Sequence, residues 1–296
     1  MAALAGLRTA FRRRSFEVAQ LNEAVAKARA GNKWQAVIGL STAWSVNGRS
    51  ASSKAGSYHG IAGRRSRRER VIGMPRILFV YFTVSQQTLR VIEAMTDTLR
   101  TRGCDVQQAR IEFTDPRYAD RFSRFPFKHP YLLVAGMLLP QLRHATGQIR
   151  VPDTVREGNY DLVCIGSPTW WLNPCMPIRS FMQSDLAGAV FAGKPFAAIV
   201  VCHRYWKNNL ATVKALGIKK GGKFVNGIHF IAAGGPIGSM LALMSYFGTG
   251  EIKDRYFGVK IPKANLQPSY LGESRAFANE LADSLGCASQ IEGGSA

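Results

Sequence analysis

The chain has 296 residues, 46% of them hydrophobic, and a formal charge of +20. That is room for one large domain or two small ones with a substantial core, and the charge favours acidic partners: nucleic acid, anionic lipid or acidic protein. Five cysteines without a C-x-x-C pair argue against a zinc site or a disulfide framework and suit a reducing cytoplasm.

The charge is uneven. Residues 1–73 hold 14 Lys/Arg against 3 Asp/Glu, leaving 25 against 16 for residues 74–296. Residues 1–30 have the pattern of an amphipathic helix, with Leu4, Leu7, Phe11, Phe16, Val18 and Leu21 among arginines. Residues 45–70 are rich in Ser, Gly and Arg, a composition that predicts disorder. Three readings of this basic extension stand side by side. It is a transit peptide, an arm for nucleic acid or lipid, or an upstream extension that the working protein lacks. Met74, directly ahead of the first good strand, favours the last. The expected organisation is an extension over 1–73, one domain over 74–290 and a tail over 291–296. No apolar run reaches the roughly 18 residues of a membrane span, and no signal-peptide core follows the early arginines.

From Met74 onward strands and helices alternate. The run 76–82, RILFVYF, reads as a strand buried on both faces. A helix is predicted over 86–102, with Leu89, Ile92, Met95 and Leu99 on one face and Gly103 as its stop. Residues 105–111 alternate like an edge strand. Further buried strands are predicted over 160–167 and 195–202, and another strand over 223–233. Helices are predicted over 176–186, 206–218 and 273–286. Alternating strands and helices imply an α/β fold: a doubly wound parallel sheet of five strands, order 2-1-3-4-5. Two connections, 113–150 and 234–272, are too long for plain loops and predict extra helical segments or functional elements.

Ligands of such sheets sit beyond the carboxyl ends of the strands. Three strand ends carry suitable residues. The first is YFTVSQQT, where Thr83, Ser85 and Thr88 offer hydroxyls beside the start of a helix, an anion site made of neutral donors. A simple N-cap is the alternative. The second, IGSPTWWLNPCMPIRSF, presents Trp170 and Trp171 in a loop stiffened by Pro168, Pro174 and Pro177. Stiff aromatics there suit stacking on a planar ligand, or packing beneath residues 113–150. The third, VVCHRYWKNNL, brings Tyr205 and Trp206 with His203 and Arg204. Together the three describe a site for a phosphorylated, flat, aromatic cofactor.

The first stretch resembles the flavodoxin phosphate loop, Y-[FY]-[ST]-x-[ST]-G-x-T, with Gln86 in place of its glycine. The stretch YDLVCIGSPTWW…P…PIRSF is similar to the second flavodoxin segment. The resemblance covers roughly residues 75–235 and the final helix. It places the chain with the flavodoxin-like and NAD(P)H-dependent FMN reductase superfamily, nearest to flavodoxin-fold proteins labelled dialkylresorcinol-condensing-like. The resemblance implies FMN. Thr83, Ser85, Gln86, Gln87 and Thr88 would wrap the phosphate. Ser167, Pro168, Thr169, Trp170 and Trp171 would flank one side of the isoalloxazine, and Cys202, His203 and Tyr205 the other.

Three functions follow as expectations. In the first, FMN passes electrons from NAD(P)H to a small hydrophobic acceptor such as a quinone, with residues 127–142 and 236–247 as a greasy mouth or a membrane-surface contact. In the second, the protein is an electron carrier with an acidic partner. In the third, it is a binding or condensing module that has lost the flavin. A cytoplasmic location, peripheral to an anionic membrane in one variant, is expected, and a homodimer is left open. No nucleic-acid role is read into residues 74–296. There is no metal-ligand cluster, no G-x-S-x-G elbow and no Walker loop. Cys175 and Cys202 read as packed residues rather than nucleophiles.

Overall fold

The run RILFVY forms a strand, β1 (Arg76–Tyr81), because its side chains are apolar on both faces. Ile77, Phe79 and Tyr81 face one helical layer and Leu78, Val80 and Phe82 the other, all buried. A computed structural model describes residues 74–263 and 267–287. The expectations for residues 1–30, 45–70 and 291–296 lie outside the described residues.

Four further strands complete the sheet: β2 (Asp105–Arg110), β3 (Leu162–Trp170), β4 (Pro195–Cys202) and β5 (Lys223–Ile231). They lie in the order β2-β1-β3-β4-β5, all parallel. This is the doubly wound flavodoxin-like order, in which the winding reverses between β1 and β3. The expected fold class and strand order are both found.

The helices divide between the faces. On one lie α1 (Gln87–Thr101) and the last helix, α6 (Pro268–Leu285), packed on each other and on the sheet. On the other lie α2 (Met176–Gln183), α3 (Asp185–Phe191) and α4 (Trp206–Lys219). The helix predicted over 176–186 is two. Ser184 is extended (ψ 161°), and its hydroxyl accepts from the Ala187 amide at 3.3 Å, capping α3. The last helix starts five residues earlier than its apolar pattern, at Pro268, a residue well suited to a first helical turn. β3 runs past its predicted end at Ser167, through Pro168 and Thr169 to Trp170.

The two long connections hold extra helices, as expected. Residues 112–150 close at their neck through a short antiparallel pair, Glu112–Phe113 with Ile149–Arg150. Asp115, buried at the neck, accepts from Arg117 Nε (2.9 Å), Arg117 Nη2 (2.7 Å) and the Gln148 amide (3.1 Å). The Arg117 guanidinium holds its carboxyl well below the usual carboxylate range against the opposing effect of burial. Within the segment are short helices Pro130–Gly136 and Leu138–Leu142. The second connection contains α5 (Pro236–Thr249). Among the described residues no helix is long and apolar enough to cross a membrane.

One contact sets the depth at which α1 lies on the sheet. A Cβ at Gly166 of β3 would stand 2.7 Å from Ile92 Cδ1, 2.7 Å from Tyr81 Cβ and 3.2 Å from Thr88 Cγ2. Only a hydrogen fits between β3 and the start of α1. Gly166→Ala is expected to destabilise the domain by about 1–3 kcal/mol through overpacking, read as a lower urea midpoint at unchanged slope.

Candidate functional site

The carboxyl ends of β1, β3 and β4 are adjacent in the sheet, so the three sequence stretches meet at one edge. Each contains a non-glycine residue in the left-handed region: Gln86 (φ 61°), Trp171 (φ 57°) and Tyr205 (φ 63°). Such a conformation costs an ordinary side chain about 1–2 kcal/mol. Strained backbone of this kind tends to gather at ligand clamps and active sites.

At the first end, residues 82–86 turn β1 into α1. Thr83 and Thr88 are buried side chains, yet neither their hydroxyls nor that of Ser85 makes a hydrogen bond among the described residues. None of the three hydroxyls is sealed from solvent. Gln86 takes the left-handed conformation a glycine would supply, and its side chain is exposed rather than folded into the turn. It makes no capping hydrogen bond, and the first turn of α1 holds no acidic residue. The loop is therefore a polar cradle at a helix start, where backbone N–H groups lack intrahelical partners. Two groups from elsewhere reach it. Arg110, the last residue of β2, donates through Nη2 to the Thr83 carbonyl at 3.4 Å. The Tyr246 hydroxyl of α5 donates to the Ser85 carbonyl at 3.3 Å.

At the second end, Thr169 and Trp170 pair back antiparallel with Pro174 and Asn173, making a tight hairpin with Trp171 in its turn. An adjacent pair of amides from α4 holds this hairpin. Asn209, fully buried, bridges the Ser167 hydroxyl (2.9 Å), the Ser167 carbonyl (3.2 Å) and the Thr169 hydroxyl (2.8 Å). Asn208 donates to the Leu172 carbonyl at 2.9 Å and to Asn173 Oδ1 at 3.0 Å. Trp170 stacks on Phe122 (4.8 Å, 12°) and meets Phe82 and Phe113 edge-on. Trp171 Nε1 donates to the Val134 carbonyl at 3.0 Å. Both tryptophans thus engage residues 113–150. Arg179 of α2 is buried and binds the Ala145 and Pro174 carbonyls at 3.2 Å each, joining that segment to the hairpin.

At the third end, Cys202 is buried beside the Thr169 hydroxyl, and burial pushes its thiol up to about 12. Burial also raises Cys175 to about 12. Both thiols stay protonated near neutral pH, as packed residues do. His203 is half-buried, but its Nδ1 is sealed without a partner, and burial lowers its pKa to about 4. Tyr205 opens α4, its hydroxyl raised to about 12 by burial despite Arg204 nearby. Trp206 stacks on His229 of β5 at 3.6 Å.

All thirteen residues singled out from the sequence lie at these three ends. Four that matter there were missed. Arg110 and Tyr246 arrive from a neighbouring strand and a distant helix, with no local signal. Asn208 and Asn209 sat in plain view as an Asn pair in the first turn of α4, six and seven residues beyond the end of β4.

No family model matches the sequence, and no curated protein matches it. Solved structures of similar fold include a flavoprotein from Lactobacillus acidophilus NCFM in complex with FMN, at 18% identity over 52% of this chain and 93% of that one, TM-score 0.41. A flavodoxin from the domain Archaea matches at 13% identity over 71% and 99%, TM-score 0.40. A Fusobacterium nucleatum flavodoxin bound to flavin mononucleotide matches at 12% identity over 71% and 99%, TM-score 0.37. The fold rests on this chain's own strand order.

Two expectations follow. Asn209→Ala leaves the buried Ser167 and the half-buried Thr169 short of partners and is expected to lower stability by about 1–3 kcal/mol, measured by denaturant unfolding. The second concerns pH. Burial lowers the pKa of His203, His229 and His144, so the folded state prefers them neutral. Their contribution is complete above the ordinary value of about 6.5 and is lost as pH falls below it, for His203 through about 4. The thermal midpoint should drop across that window, and His203→Asn should flatten the drop.

Proposed function

We propose that residues 74–287 bind FMN at the carboxyl ends of β1, β3 and β4 and act as an oxidoreductase. Electrons would pass from NAD(P)H to a small hydrophobic acceptor such as a quinone. The observation that carries this reading is the cradle at the first strand end. Three hydroxyls without a hydrogen-bond partner among the described residues lie in sequence about a helix start that has no side-chain cap, with Gln86 already in the glycine-like conformation and its side chain exposed. A phosphate monoester fits that donor set.

Thr83, Ser85 and Thr88 would donate to the phosphate, with first-turn backbone amides and the Arg110 charge supporting it. Trp171 and Tyr205, both half-buried, are the aromatic candidates for the flavin ring. Trp170 would act one step back, as the wall that fixes Trp171. The flavin supplies the electron transfer when bound; the chain binds it, orients it and keeps water from one side. With its pKa near 4, His203 is neutral at pH 7 and adds no positive charge to the ring site. The aromatic cluster of Phe125, Phe127, Tyr246 and Phe247 adjoins the Ser85 end through the Tyr246 hydrogen bond. It supports an apolar acceptor.

A second reading, the flavin-free binding or condensing module, draws on Trp170. Its stacking on Phe122 leaves fewer aromatic faces for a cofactor.

The test is titration of the purified full chain with FMN and with riboflavin, followed by flavin fluorescence. FMN is expected to bind, and more tightly than riboflavin. The double variant Thr83→Ala, Ser85→Ala should weaken FMN by about tenfold or more while leaving riboflavin unchanged. No uptake of either flavin favours the module. FMN uptake without bleaching by NAD(P)H under anaerobic conditions removes the proposed donor and favours the electron carrier with an acidic partner.

A further inference from the structure

The five cysteines are far apart in sequence, but two of them meet. Cys104 Sγ lies 2.7 Å from Cys287 Sγ, 183 residues away along the chain. Both owe their positions to the same device. α1 ends in Gly103 (φ 75°) and α6 in Gly286 (φ 73°), each left-handed and each followed by cysteine. The glycine amides bond back to Arg100 and Asp283, and the cysteine amides to Leu99 and Ala282. That is the Schellman closure of a helix, made twice. Because α1 and α6 pack on each other, the two closures bring the thiols together. Arg102 locks the arrangement by donating to Asn279, Asp283 and the Cys287 carbonyl.

We propose that Cys104 and Cys287 form a reversible disulfide that staples α6 to the turn between α1 and β2. The thiols need a side-chain shift of under about 1 Å to reach a bond length of roughly 2.05 Å. Cys287 is partly exposed and takes the oxidant. With oxidised glutathione, the Cys287 thiolate forms a mixed disulfide and releases one glutathione. The Cys104 thiolate then attacks the Cys287 sulfur and releases the second. Two protein thiols and one glutathione disulfide become one protein disulfide and two glutathione thiols. Burial and the Cys287 contact push Cys104 up to about 12, so its attack speeds up with pH. The other cysteines, Cys164, Cys175 and Cys202, are buried, whereas Cys287 is partly exposed, so the oxidant enters at this pair. The proposal is independent of the flavin reading.

The test uses the full chain equilibrated with oxidised glutathione, quenched with N-ethylmaleimide and mapped by mass spectrometry. A cross-linked peptide pair containing Cys104 and Cys287 is expected. Alongside it the thermal midpoint should rise by about 5–15 °C, reverse with dithiothreitol, and stay unmoved in Cys287→Ser. A stable glutathione adduct on Cys287 with Cys104 still alkylatable, or both thiols recovered alkylated, would overturn it. Cys287 is half-exposed, so its serine variant is expected to fold even where Cys104→Ser does not.

Discussion

The hydrogen on Gly166 is the tightest constraint at the functional end of the molecule. Sheet winding brings β1 and β3 side by side, and α1 must leave β1 across the face of β3. A methyl group at Gly166 would meet Ile92 and Thr88 of α1 and Tyr81 of β1, so α1 would have to lift away from β3. Everything built on the start of α1 inherits that depth: the hydroxyl cradle, the left-handed Gln86, and the reach of Arg110 and Tyr246 to its carbonyls.

Around that anchor the three strand ends share a logic. Each turns sharply through a side chain where glycine would be easier, and the first two are held by bonds from other elements. The Asn208–Asn209 pair holds the β3 hairpin from α4, and the Val134 carbonyl holds Trp171. Strain of this size persists only where neighbours over-determine the backbone. The site edge is therefore stiff before any ligand arrives.

The sheet was legible in the sequence because its strands are continuous apolar runs separated by helical periodicity, and that pattern is local. Phe79 and Ile199 announce themselves. The end of β3 was less legible, since Pro168 and Thr169 look like a loop; Asn209 is what lets the polar Ser167 before them be buried, and that partner lies 42 residues away. Gln86 was recognised as a departure from the glycine pattern, but its left-handed backbone and outward side chain are tertiary outcomes. The break at Ser184 was readable in principle, because serine ahead of Asp185 is an N-cap signature. The cysteine pair was not read, although Gly-Cys recurs at the ends of two helices. Spacing says nothing about contact between elements that meet only after the whole sheet has formed.

Arg179 has a consequence for how this chain can change. Its guanidinium is enclosed, and one of its two carbonyl partners, Ala145, belongs to the long connection. Removing that connection would strand a cation in the interior, a loss far larger than the loss of a surface loop. Shortening the segment and replacing the arginine would have to occur together, because either step alone is harmful. Residues 113–150 are thus entrenched: easily elaborated at their outer helices, and hard to give back.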